Sequence, residues 1–300
     1  MKTRLTKIFT LGFIFILASC NKPNPVELER NDSEDDSYSL EIISTDPNQF
    51  DYQNGYDSTG IANPLPEASA EFIISLFKNS DGNNSNMGNR HGIAKAAFYD
   101  KQNPIYNDRN RLVGYLTKDM GTVKFNNFTA TKRAHRVRFK NGNSIIDSLA
   151  GVEYHLPLRP MMNILDNIDI KLSSNNNLLF ESSIAIPIEI NARIEKIVEG
   201  STLRGLKLYW NGLGNSKIEI IIGGYYQQNL SPFPLIRIKV ADDGSFVLPS
   251  NILERIPYNN FESLVFSFIR KIEKRESSNS LSDNYIAAQS IHNIRVNLNN

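Results

Sequence analysis

A chain of 300 residues with 40% hydrophobic and 22% charged residues is long enough to bury two ordinary cores and polar enough to stay folded in water. Its net charge of +1 gives no bias toward nucleic acid or acidic lipid. A single cysteine excludes an internal disulfide and a thiolate metal site.

The first elements concern export. Lys2, Arg4 and Lys7 precede an apolar run from Ile8 to Ala18, which ends in Leu17-Ala18-Ser19-Cys20. A basic start, a short apolar middle and a small-residue end make a secretion signal, and the run is shorter than the ~20 residues of a membrane-spanning helix. Leucine, two small residues and cysteine resemble the lipobox of bacterial lipoproteins. The resemblance implies cleavage before Cys20, which then carries the lipid, a palmitate among its chains. Residues 1–19 are thus expected to be a lipoprotein signal peptide. Their loss removes three positive charges and takes the net charge from +1 to −2.

Residues 20–39 read as an acidic disordered tether. Two prolines and six acids between Glu27 and Asp36 leave little to bury. Ser33-Glu34-Asp35-Asp36 resembles the serine-plus-acidic signal that takes Bacteroidota lipoproteins to the outer surface; a solvated acidic linker is the alternative.

Residues 40–190 read as an N-terminal β domain. Strands are expected at Ala70 to Phe77, at Gly92 to Tyr99, and at Val152 to Leu158, where Glu153 and His155 take the polar face. Leu112 to Thr117 and Thr122 to Phe125 read as a hairpin turning at Asp119-Met120-Gly121. In the loop from Asn79 to Arg90, Asp81, Asn83 and Ser85 have the spacing of a calcium loop. Asn86 and Gly92 stand where its glycine and bidentate glutamate belong, so a surface loop is expected instead. Twelve Lys and Arg from Arg90 to Lys140 face only Asp100, Asp108 and Asp119. They read as outward residues of half-buried strands, with a patch for an anionic glycan as the alternative.

Residues 191–300 alternate more clearly. Strands are expected near Ile194 to Val198, Leu206 to Trp210, Ile218 to Ile222, Ile236 to Val240, Gly244 to Leu248, Leu264 to Phe268 and Ile294 to Leu298. That number and spacing suit an immunoglobulin-like sandwich with Trp210 in its core. Asp242-Asp243-Gly244 reads as a hairpin turn. A short helix is expected after Pro249, capped by Asn251 with Glu254 and burying Ile252, Leu253 and Ile256.

Three stretches, Ile184 to Ile190, Gly205 to Gly212 and Asp242 to Pro249, resemble Bacteroidota-type exported lipoproteins with an N-terminal β domain followed by an immunoglobulin-like domain. The resemblance implies fold and location and brings no catalytic residue. Asp57-Ser58-Thr59 and Asp147-Ser148-Leu149 also resemble the O-glycan acceptor motif of such proteins.

Motifs for a hydrolase elbow, a helical zinc site and a phosphate loop are absent from the sequence. His91, His135, His155 and His292 are scattered and read as solvated residues. The segment Gly223 to Pro234 offers Tyr225, Tyr226 and Phe233 for stacking on sugar rings, against a purely packing role. The chain is thus expected to be mainly β, with two β-sandwich-like domains, the second immunoglobulin-like. It is expected to be a non-catalytic, lipid-anchored lipoprotein of the outer membrane or cell surface that binds a glycan or envelope partner through its loops. The alternatives are a structural or adhesive pilus-type subunit, which would be cut after Arg30, and a hydrolase. No cofactor, metal or nucleic-acid partner is expected.

Overall fold

The structure is a computed structural model and describes residues 38–43, 67–81, 89–110, 112–141, 144–158, 166–200, 202–214, 216–225, 232–256, 261–279 and 281–297. Cys20, Arg30, Asp57-Ser58, the centre of the Asn79 to Arg90 loop and Tyr226 lie outside them. In chain order the strands are β1 (Tyr38–Ile42), β2 (Ala70–Asp81), β3 (Asn89–Tyr106), β4 (Leu112–Thr117), β5 (Thr122–Phe125), β6 (Phe128–Thr129), β7 (Thr131–Asn141), β8 (Ser144–Leu158), β9 (Asn167–Ser174) and β10 (Asn177–Ala185). They continue with β11 (Ala192–Glu199), β12 (Thr202–Trp210), β13 (Lys217–Tyr225), β14 (Phe233–Ala241), β15 (Ser245–Pro249), β16 (Ser263–Glu276) and β17 (Asn284–Val296). Among the described residues one helix, α1 (Ser250–Leu253), interrupts them.

The protein is mainly β and sandwich-like. Ten strands form one long sheet in the order β1-β14-β13-β16-β17-β2-β3-β8-β7, with β4 paired to β3. Neighbours are antiparallel except β17 and β2, which run parallel from Asn284 beside Ala70 to Arg295 beside Asp81. A three-stranded sheet, β11-β12-β15, and a four-stranded sheet, β10-β9-β5-β6, complete the fold.

Period-two alternation explains how the layers pack. On β13 and β16, Ile218, Ile220, Ile222, Leu264, Phe266 and Phe268 point inward to meet Leu206, Leu208 and Leu248 of the three-stranded sheet. On β2 and β3, Phe72, Ile74, Ala94 and Ala96 meet Val123, Phe125, Ile170 and Leu172 of the four-stranded sheet. Even-numbered residues of β17 serve both cores: Ile286 and Ala288 enter the second, Ile294 and Val296 the first. Both small sheets therefore stack on the same face of the long sheet. Burying a Leu, Ile or Phe side chain contributes about 1.5–3 kcal/mol, and these cores hold dozens. Among the described residues, 191–300 supply seven strands, β11 to β17, and 38–190 supply the rest; the two stretches meet in the long sheet at the β17–β2 and β1–β14 pairs.

Three local expectations are corrected. β4 and β5 both form, but β4 pairs with β3 and β5 with β9, so no hairpin joins them. The turn between them changes sheets, because Asp119 accepts hydrogen bonds from the Gly121 amide (3.0 Å) and the buried Tyr154 hydroxyl (2.7 Å). Gly121 is at φ +113, and a Cβ there would lie 2.4 Å from the Ser173 carbonyl oxygen. Likewise Asp242-Asp243-Gly244 leads from β14 in the long sheet to β15 in the three-stranded one and is no hairpin. Helix α1 forms and buries Ile252 and Leu253, but Pro249 stands at its N-cap with no side-chain cap. True hairpins turn elsewhere: Asn175 and Asn176, at φ 49 and 67, join β9 to β10.

A polar seam divides the two cores. On the inner face, Arg270 of β16, Ser290 and His292 of β17, and Lys78 and Ser80 of β2 are all buried. They hold the connection from β10 to β11. The Ser290 hydroxyl accepts from the Ile190 amide (3.0 Å), and the Lys78 ammonium donates to Asn191 Oδ1 (2.5 Å). Arg270 donates to the Ile188 and Asn211 carbonyls at 3.0 and 2.7 Å. It also pairs with the fully buried Asp242 at 2.9 and 3.0 Å. Asp242 further accepts from Trp210 Nε1 (2.8 Å) and the Ser216 hydroxyl (3.0 Å). Burial opposes its ionisation, but the Arg270 guanidinium outweighs that and holds the carboxyl below its usual range.

Candidate functional site

Two clusters of titratable groups and one surface hollow are the candidates among the described residues. The first cluster lies on the outer face of the long sheet. Because Tyr154 points into the core, Glu153 and His155 point out, beside Lys95 of β3 and His135 of β7. Glu153 meets His155 Nε2 at 2.6 Å, His135 Nδ1 at 3.1 Å and Lys95 Nζ at 3.1 Å. Burial favours the neutral acid, but these three donors prevail and hold the carboxyl far below its usual range. A carboxylate so fully engaged is a poor proton acceptor. Nearby, Tyr99 donates to Glu71 (2.9 Å) and Tyr285 to Glu273 (2.6 Å). Burial and then the Glu273 carboxylate push the Tyr285 hydroxyl well above its normal range.

The second cluster is the seam. Ser80 Oγ lies 2.9 Å from His292 Nε2, the spacing of a nucleophile and its base. The other ring nitrogen decides the chemistry. The Ala192 amide donates to Nδ1 at 2.8 Å, so the ring proton sits on Nε2 and is donated to Ser80. In this tautomer His292 has no lone pair facing the hydroxyl and does not activate it. Burial, reinforced by the Lys78 charge, lowers the imidazole pKa to about 4. The expectation of solvated histidines is corrected here for His155 and His292, which are 5% and 0% exposed.

The hollow, of about 400 Å³, lies between the edge strand β10 and the β16–β17 tip. Leu178, Leu179, Phe180, Glu181, Glu276, Ser277 and Ser278 line it. Leu178 is 58% exposed and gives it an apolar wall. Lys171 neutralises Glu181 at 2.7 Å and Lys274 neutralises Glu276 at 2.6 Å.

The residues expected to stack on sugar are placed as follows. Tyr225 ends β13 with the Arg295 guanidinium 4.8 Å above its ring. Phe233 is buried in the core and stacks on Phe261 at 6.4 Å. Five of the twelve basic residues of the stretch pair with acids among the described residues, three of these acids from outside it: Arg90 with Glu189, Lys95 with Glu153, Lys118 with Asp100, Lys132 with Asp119 and Arg136 with Asp147. Lys78, Glu153 and Arg270 escape sequence reasoning because each is an ordinary member of an alternating strand. The one usable signal was parity, which puts Glu153 and His155 on the same face.

Comparison with protein-family models, curated proteins and solved structures finds no match for this chain.

Proposed function

We propose that this chain is a lipid-anchored envelope lipoprotein that binds a glycan without transforming it. The observation that carries binding is the hollow beside β10. Its volume lies in the range of small-ligand sites. The exposed Leu178 suits the apolar face of a sugar ring, and the Glu181 and Glu276 carboxylates suit its hydroxyls. Support for a non-catalytic role comes from the two clusters, where Glu153 is saturated with donors and His292 presents a proton to Ser80. Anchoring through Cys20, outer-membrane location and the tether rest on the sequence.

The test is a glycan panel read by calorimetry, with the purified chain in its Cys20→Ala form. At least one oligosaccharide is expected to bind, with affinity falling tenfold or more in Leu178→Ser and Glu276→Gln. Tyr225→Ala, at the opposite end of the long sheet, is expected to leave affinity unchanged. Binding lost in Tyr225→Ala and kept in the hollow variants would move the site to the β13–β14 loop. No binding by any glycan sinks the reading.

A second reading, a structural or adhesive subunit, draws on β1. This strand has five residues, pairs among the described residues with β14 alone, and places Leu40 against the core. A strand so short is replaceable by one from a neighbouring subunit. Cleavage at Arg30 followed by sedimentation distinguishes the readings: growth of a ladder of oligomers favours the subunit, and a persistent monomer removes it.

A further inference from the structure

The hollow beside β10 has an unequal supply of hydrogen-bonding side chains. Its lining residues include two acids, Glu181 and Glu276, and no Lys, Arg or His. The two lysines that pair with these acids lie outside the lining. Lys274 Nζ meets Glu276 Oε1 at 2.6 Å, the Ser183 carbonyl at 2.6 Å and the Ser182 hydroxyl at 2.8 Å, which occupies all of its protons. Lys171 Nζ meets Glu181 Oε1 at 2.7 Å. A carboxylate has about four lone-pair sites, so one ammonium leaves most of that capacity open. Ser182 adds a second donor to Glu276, whereas no other described side chain pairs with Glu181. The serines of the lining add further acceptors. The Ser277 hydroxyl directs its proton to the Ser282 carbonyl (2.7 Å), and the Ser278 oxygen accepts from the Leu281 amide (3.1 Å).

We propose that the hollow selects an amino sugar, one that carries a free protonated amine, over acetylated and acidic sugars. The inference rests on the glycan reading of this hollow and names the sugar class. An ammonium brings three donors and a positive charge to the two carboxylates and the serine oxygens. Acetylation leaves one N–H and adds a carbonyl oxygen, for which the lining has no free side-chain donor. The acid group of a uronate brings only acceptors, and its charge is of the same sign as the two carboxylates it would meet.

The apolar wall acts differently. Leu178 and Leu179 offer surface to the C–H face of any sugar ring, so they set affinity and leave the choice among sugars to the acids. Both carboxylates are partly open to water, with side chains 49% and 34% exposed. Their attraction for an ammonium is therefore screened by salt, and the preference is expected to be about tenfold and not absolute.

The test is calorimetry of the Cys20→Ala form with three tetramers: glucosamine with its amines protonated, N-acetylglucosamine and galacturonate. The glucosamine tetramer is expected to bind about tenfold tighter than the acetylated one, and the galacturonate tetramer more weakly than either. Added salt should weaken the amine form alone. Glu181→Gln and Glu276→Gln are each expected to lower affinity for the amine form by about tenfold and to affect the acetylated form less, whereas Leu178→Ser should weaken both alike. Equal affinity for the amine and acetylated tetramers, with Leu178→Ser weakening both, would overturn the inference and leave the glycan reading standing. So would tighter binding of galacturonate. Glu199→Gln, at an exposed acid of β11, is expected to change nothing; a loss there equal to that of Glu181→Gln would trace binding to overall charge and also overturn the inference. Binding of none of the three tetramers, with another glycan bound in the hollow, overturns it too, and binding of no glycan at all removes the reading beneath it.

Discussion

Replacing Arg270 with methionine is expected to lower the free energy of unfolding by about 3–5 kcal/mol, the usual cost of removing one partner of a buried ion pair. The variant keeps most of the side-chain volume but strands the Asp242 carboxylate, which is 0% exposed. Trp210 Nε1 and the Ser216 hydroxyl would then be its remaining side-chain donors. The loss goes beyond one pair, because the same guanidinium satisfies the Ile188 and Asn211 carbonyls. Asp242→Asn should cost somewhat less, since the amide oxygen still accepts from Trp210. Combining Arg270→Met with Asp242→Asn should cost less than the sum of the two, because neither change then leaves a lone buried charge. Urea denaturation of the three variants checks this. A loss under 1 kcal/mol for Arg270→Met would show that water reaches the pair and that the seam is not dry.

Acidification from pH 7 to pH 4 is expected to remove about 3 kcal/mol of stability through His292 alone. Its imidazole has an ordinary value of 6.5 when unfolded and about 4 when folded. The unfolded chain therefore binds the proton first. The contribution is complete above pH 6.5 and is lost as pH falls from there toward 4. Protonation would put a charge beside Lys78 and place a proton on Nδ1, where the Ala192 amide already points. Glu153, Asp119 and Asp242 also have lowered folded values, but their unfolded values of 4.5 and 3.8 place their losses lower, mostly below pH 4.5. His292→Asn keeps an acceptor for the Ala192 amide and removes the titration. Its urea midpoint should be lower at pH 7 but fall much less than the wild type from pH 6.5 to 4.5, the remaining slope coming from His91, whose imidazole burial also holds below its ordinary value. A wild-type slope retained in that variant would assign the acid sensitivity elsewhere.

Strand positions were legible in the sequence because burial on one face leaves a mark every second residue. Ile218, Ile220 and Ile222 of β13, or Leu264, Phe266 and Phe268 of β16, could hardly be anything else. What the pattern does not encode is the partner. Nothing in Leu112 to Thr117 says that its neighbour is β3 and not the strand that follows. Nothing in Ile286 to Val296 says that it will lie parallel to a strand begun more than two hundred positions earlier. The candidate site was hidden for a related reason. Asp242 looks like a turn residue, and only the fold shows that Arg270 reaches it from a strand read as plain alternation. His292 looks like a solvated histidine until Lys78, Ser80 and Ala192 close around it. The hollow beside β10 depends on how an edge strand meets a hairpin tip, and a linear reading holds no trace of it.

The parallel pairing of β17 with β2 also governs how the molecule is made. The Ser69 hydroxyl and the Asp283 carbonyl that begin this pairing are 214 positions apart. Contacts of such range are entropically expensive to close and slow folding, commonly into the range of milliseconds to seconds or longer for sheet-rich chains. The strand at the middle of the long sheet is also the last of the described strands in chain order. Until it arrives, β2 on one side and β16 on the other present unpaired edges, and neither core is complete. A chain arrested before Asn284 would therefore have two unfinished halves and a tendency to pair with its neighbours, and refolding yield should fall steeply as protein concentration rises.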